Sequence, residues 1–163
     1  MQVVQPLNTR AHKLVVDFLE AQYGFTDELP YTFYLQTRTS KLLMLTKQAA
    51  ESQLELIRIN SQGLYFAEMN ESQTNYRLSI EATQLIGPKA TKNVLELTDS
   101  EFDLWVRGHP LAVDESLAER LDELYGYIII KNTKGDFFGV GNHKDDELMN
   151  FISKSRRVQS KLE

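Results

Sequence analysis

Cysteine is missing from all 163 residues. That absence excludes disulfides, thiolate zinc sites and every cysteine nucleophile. Long apolar runs are missing too, and no stretch approaches the roughly 20 residues of a membrane span. Met1-Gln2-Val3-Val4-Gln5-Pro6 has no basic segment followed by a long apolar one. No signal peptide and no membrane partner are expected, and the expected location is cytoplasmic. Histidine is scarce: His12, His109 and His143 share no metal-ligand spacing on a helix, so no metal site is expected. Gly139-x-Gly141 lacks a third glycine and opens no helix, which makes it a poor dinucleotide site. Phosphate-loop and nucleophile-elbow patterns are absent, as are internal repeats and low-complexity tracts. Asp145, Asp146 and Glu147 stand beside His143 and could make a general acid–base or metal cluster, but a polar hairpin turn is by far the favoured reading. The chain is therefore expected to be no enzyme and to need no cofactor.

Positive charge is also short. The net charge is −5, which counts against a nucleic-acid binder if spread evenly. It is not spread evenly. Residues 114–126 hold Asp114, Glu115, Glu119, Asp122 and Glu123 against Arg120 alone, whereas residues 154–163 hold Lys154, Arg156, Arg157 and Lys161 against Glu163. Screening confines each charge to about 8–10 Å at physiological salt, so a basic patch on an acidic protein is physically reasonable.

Against these absences stand an ordinary apolar fraction of 42% and charged fraction of 25%, enough for a sizeable core under a soluble surface. The length suits one domain or two small lobes. Ala11, Leu14, Val15, Phe18 and Leu19 recur at helical spacing and predict a helix over 9–23, capped by Asn8 or Thr9 and ended by Gly24, with His12 in solvent. Tyr31–Thr37 and Lys41–Thr46 read as strands, and 47–52 as a short helix. Leu54–Asn60 and Leu64–Met69 read as a hairpin around Ser61-Gln62-Gly63. The polar run 70–75 reads as a lobe boundary or a long exposed loop. Residues 76–80 suit a strand and 79–86 equally a helix, the helix being favoured. Val94–Leu97 reads as a strand. Thr98 followed by Glu101 forms a capping box before an apolar face of Phe102, Trp105 and Val106. Trp105 is read as a core anchor rather than a base-stacking platform. Residues 114–123 read as a helix with a solvated acidic face.

The chain is organised around residues 125–157. Tyr125–Lys131, Phe137–Gly141 and Leu148–Ile152 alternate with turns as an antiparallel meander that ends in Lys154-Ser155-Arg156-Arg157. Gly139 and Gly141, inside a strand pattern, mark a bulge, a bend or close approach of another group.

The sequence Gly126-Tyr127-Ile128-Ile129, then Phe138-Gly139-Val140-Gly141, then Asn150, Lys154 and Arg157, resembles the last strands of a PUA-like domain, a small RNA-binding β-barrel. The form it resembles is the C-terminal module of Sun/Fmu-family RNA cytosine-5 methyltransferases. Met149 stands where that family favours lysine, and Ser153 where it favours proline. The strand, capped helix and Arg107-Gly108 pair extend the likeness over residues 85–157, although His109-Pro110 follows where the family favours an acid. The resemblance implies an α+β fold, with a small N-terminal α+β lobe (pre-PUA-like) over residues 1–75 and a PUA-like β-barrel with a basic tail over residues 76–163. It implies RNA binding through Lys89, Lys92, Arg107, Gly108, Asn150, Lys154, Arg156 and Arg157, with Asn93 a further amide donor. Arginine supplies bidentate phosphate geometry, and glycine permits close backbone approach. That family attacks cytosine with a cysteine and carries a SAM-binding domain. Neither is present here, so only the RNA-binding part is implied.

Two functions follow. One is a non-catalytic protein binding structured RNA, tRNA or rRNA, in RNA modification or ribosome biogenesis, including as an accessory subunit of a separate RNA-modifying enzyme, a methyltransferase. The other is a protein-interaction adaptor that uses the acidic helix on a PUA-like scaffold.

Overall fold

The structure is a computed structural model that describes residues 4–51 and 63–159. The expected strand Leu54–Asn60 lies outside the described residues. A short strand β1 (Val4–Pro6) leads to helix α1 (Thr9–Tyr23). The Asn8 side chain accepts from the Ala11 amide at 2.8 Å, and Gly24 ends the helix with φ 63°. Val15, Leu19 and Tyr23 are buried, whereas Leu14 is 43% exposed, so the apolar face is narrower than the sequence predicts. His12 is not in open solvent. It lies one turn before Val15 on the same face, with its ring 5.5 Å from that of Phe33.

Strands β2 (Tyr31–Gln36), β3 (Lys41–Thr46), β4 (Leu64–Met69) and β5 (Tyr76–Leu78) join β1 in an antiparallel sheet ordered β1-β2-β3-β4-β5, with helix α2 (Lys47–Glu51) after β3. The polar run 70–75 is the β4–β5 turn. It folds on Asn70, whose side-chain oxygen accepts from the Thr74 and Asn75 amides. The strand just past residue 75 thus completes the first sheet. Ser79 then caps helix α3 (Ile80–Ile86), so the ambiguous segment forms a strand and a helix in succession. Its hydroxyl accepts from the Ala82 amide and donates to the Tyr65 carbonyl at 2.6 Å, which fixes α3 to β4.

The second sheet contains β6 (Val94–Glu96), β7 (Leu111–Ala112), β8 (Tyr127–Lys131), β9 (Phe137–Lys144) and β10 (Glu147–Asn150), ordered β6-β8-β9-β10-β7. Helices α4 (Asp99–Val106) and α5 (Glu115–Leu121) lie between β6 and β8, and β6 runs parallel to β8. The capping box at Thr98 and Glu101 is complete. The meander β8-β9-β10 forms as expected, with Asp145-Asp146 as its second turn. Against β8, the register of β9 shifts between Ile129 and Lys131. Gly139 sits in that bulge with φ 85°, and its amide donates to Thr83 Oγ1 of α3 at 3.0 Å. At Gly141 a side chain would collide with the Trp105 indole, 2.7 Å away. Trp105 is fully buried, and its Nε1 donates to the Phe138 carbonyl at 3.1 Å, as a core anchor should.

Two cores result. One packs α1 and the first sheet with Ala82 and Ile86 of α3, Ile129 of β8 and Val140 of β9. The other packs Trp105, Leu117, Leu121, Ile128, Ile130 and Leu148 inside the second sheet. Among the described residues no helix is long and apolar enough to cross a membrane.

Glu101 links α4 to α5 through Arg120. Burial pushes its carboxyl up, but Arg120 and the Thr98 amide and hydroxyl outweigh burial and hold it below the ordinary glutamate value. The stabilisation is therefore present above that ordinary value and is lost as pH falls through the lowered one. Glu101→Gln is expected to be less stable than wild type near neutrality, with the difference narrowing below about pH 4. Urea unfolding midpoints across a pH series check this, and a pH-independent difference would refute it.

Candidate nucleic-acid interface

The segment after β10 is fixed by one buried side chain and five hydrogen bonds. Ile152 is buried in the second core. The Asn150 side-chain amide donates to the Trp105 carbonyl at 2.7 Å and the His109 carbonyl at 3.4 Å, and its oxygen accepts from the Ile152 amide. The Val158 amide donates to the Val106 carbonyl at 2.9 Å. Arg157 Nε donates to the Ile152 carbonyl at 3.1 Å. The basic residues therefore stand on a turn of 3-10 helix (Lys154–Arg156) held against the end of α4.

Gly108, just past that helix end, has φ 84°. A side chain there would meet Arg157 Nε at 2.1 Å, so the Arg157 side chain lies directly over the glycine. Arg107, His109, Lys154, Arg157, Val158 and Gln159 line an open basin of about 380 Å³ at this point. Arg107 forms a two-pronged pair with Asp103, each bond 3.2 Å. Lys154 is exposed and Arg157 half-buried, and neither has a carboxylate partner among the described residues. Such a basin can hold phosphate through charge and through the guanidinium fork.

Of the residues expected to bind RNA, the fold brings together Arg107, Gly108, Asn150, Lys154 and Arg157. Asn150 has both amide hydrogens committed to carbonyls and serves as a structural clamp. Arg156 turns away and pairs with Glu81 of α3. Lys89 is exposed on the turn after α3. Lys92 lies beside Gly24 at the end of α1, near Glu123 and Tyr125. Asn93 is buried, and its side chain binds the Tyr125 and Tyr127 carbonyls and the Tyr125 amide. The left-handed Asn93 backbone, φ 60°, belongs to that clamp. Sequence reasoning missed His109, Val158 and Gln159 in the basin, because only the backbone hydrogen bond from Val158 to Val106 carries the tail there. It gave no role to Lys41, Tyr65, Arg77 and Phe151, which line a second cleft between the two sheets. Among the described residues no group of three or more histidines and acids is placed to hold a metal ion.

No family model matches the chain, and no curated protein matches it. Among solved structures, a conserved PUA domain protein from Thermoplasma acidophilum is similar over 91% of this chain and 93% of that chain, with a TM-score of 0.59 and 12% sequence identity. The α+β fold is thus similar to that of a PUA domain protein along nearly the whole chain.

Gly108→Ala is expected to destabilise the protein by about 1–2 kcal/mol through left-handed backbone strain and to displace Arg157. Arg157→Ala should then cost less in the Gly108→Ala background than in wild type, as a double-mutant cycle in urea reads directly. Additive costs would show that the two residues are independent.

Proposed function

We propose that the chain is a non-catalytic RNA-binding protein for structured RNA, tRNA or rRNA, in RNA modification or ribosome biogenesis. The observation that carries this reading is the pair Lys154 and Arg157. Neither has a carboxylate partner among the described residues; both line the basin with Arg107, and the Arg157 side chain lies over Gly108. The PUA-like fold supports the same reading, since the similar solved structure is a PUA domain protein. The residues that resemble the Sun/Fmu module favour action as an accessory to a separate methyltransferase. Basic groups spaced on a rigid turn suit recognition by shape and phosphate geometry rather than by a base code.

The acidic face of α5 supports a second reading, a protein-interaction adaptor. Asp114, Glu115 and Glu119 are exposed while Leu117 and Leu121 anchor the helix from beneath.

Binding of labelled tRNA and rRNA fragments across a salt series tests the first reading. Affinity should fall steeply with salt, and Arg107→Ala/Lys154→Ala/Arg157→Ala should reduce the slope by about 1 for each lost phosphate contact. Lys89→Ala/Lys92→Ala, outside the basin, should change the slope less. Weak binding that is unchanged in the triple variant would overturn the reading in favour of the adaptor.

A further inference from the structure

Arg156 and Arg157 are chain neighbours that part company. Arg157 lies over Gly108 in the basin, whereas Arg156 reaches Glu81 at the rim of a separate cleft of about 190 Å³. Lys41, Tyr65 and Arg77 of the first sheet form one wall of that cleft, and Phe151, Ser153 and Arg156 of the C-terminal segment form the other. The cleft therefore lies where the two sheets meet, on the opposite flank of the same basic turn.

Its chemistry combines aromatic faces with cations. The Arg77 guanidinium lies over the Phe151 ring, 4.8 Å from its centroid, and pairs with Glu68 at 2.6 Å. Lys41 Nζ lies over the Tyr65 ring at 5.2 Å. Phe151 is 37% exposed, and its ring also meets that of Tyr127 edge-on at 5.7 Å. Three cations (Lys41, Arg77, Arg156) face two carboxylates (Glu68, Glu81), leaving one positive charge, and Lys41 has no carboxylate partner among the described residues. A purely apolar ligand would leave that charge unanswered, and a free anion would leave the rings unused. A nucleotide answers both, since every base has a π-face and every phosphate is an anion. A double helix does not enter so small a space.

We propose that this cleft takes one unstacked nucleotide of an RNA, with its base against Phe151 and Tyr65 and its phosphate at Lys41. The choice of RNA as the source rests on the function proposed above. The basin and the cleft flank one turn, so a paired RNA backbone on Arg157 and Lys154 can present an adjacent unpaired nucleotide towards Phe151. Recognition of splayed bases by aromatic stacking is how proteins read irregular RNA. Burial pushes the Tyr65 phenol up, partly offset by Arg77, so Tyr65 stays neutral beside the base.

The test compares two RNA hairpins, one fully paired and one with a single bulged fluorescent adenine analogue. Wild type should bind the bulged hairpin about tenfold more tightly and quench the analogue, in line with one stacked base. Phe151→Leu and Lys41→Gln, both outside the buried cores, should each remove most of that preference and leave paired-hairpin affinity unchanged. Equal affinity and unaltered quenching in both variants would overturn the cleft while leaving the basin reading intact. Adenosine monophosphate titrated against the wild type supplies an independent arm, read by NMR shifts of the Phe151 and Tyr65 rings. Binding of neither hairpin would defeat the RNA reading. In that case ring shifts would keep the cleft as a nucleotide site, and silent rings would overturn it too.

Discussion

Ile128, Ile129 and Ile130 are fully buried in succession, and everything else in the fold answers to that fact. Strand alternation sends Ile129 to one face of β8 and its two neighbours to the other. A strand with both faces apolar must be covered on both sides, each such side chain contributing about 1.5–3 kcal/mol by burial. The first core supplies one cover, through α1, the first sheet and α3, and the second core supplies the other, through Trp105 and the leucines of α5. The two lobes are therefore coupled through one strand. Polar contacts hold the same junction. The Tyr23 hydroxyl donates to the Tyr127 carbonyl at 2.8 Å, and the Gln22 and Asn93 side chains donate to the Tyr125 carbonyl. Burial pushes the Tyr23 phenol far up, reinforced by Tyr127 and Tyr125, so it remains a donor throughout the physiological range.

That coupling determines where charge can be displayed. β9 and β10 continue the meander from β8, Trp105 fills the space left by Gly141, and Asn150 ties the end of β10 to the Trp105 and His109 carbonyls at the end of α4. The chain leaving β10 has little freedom before Val158 is bonded to Val106. Lys154, Arg156 and Arg157 consequently stand on a surface whose backbone is already ordered. Cations arranged this way lose less conformational entropy on meeting phosphate than the same residues on a loose tail.

Most of the architecture was legible because local signals agreed with the global fold. Asn8, Ser79 and Thr98 announce helix starts, Gly24 ends α1, and the β-branched run at 127–131 announces the central strand. The bulge at Gly139 and the tight approach at Gly141 were legible as glycines inside a strand pattern. The side-chain partners were not. Asn93 and Asn150 read as free amides, yet both are consumed by carbonyls far along the chain. Arg156 and Arg157 read as one basic end, yet Arg156 ends the 3-10 turn while Arg157 follows it in extended backbone, so their side chains part. His12 read as solvated because its own helix does not reveal that Phe33 lies across from it. Long-range pairing decides each of these, and composition or period carries no trace of it.

The acidic net charge and the basic basin are compatible for the same reason that the site is small. Arg107 is offset by Asp103 and Arg156 by Glu81, so the number of cations in the sequence overstates the field outside the protein. Lys154 and Arg157 are left, beside a glycine with no side chain to screen them. With a net charge of −5 over the chain, non-specific attraction to a polyanion is weakened, and a ligand that fits the turn closely would gain most from those charges at physiological salt. On the proposed RNA-binding reading, an acidic composition would act as a filter on what the basic turn binds, favouring shape over mere charge density.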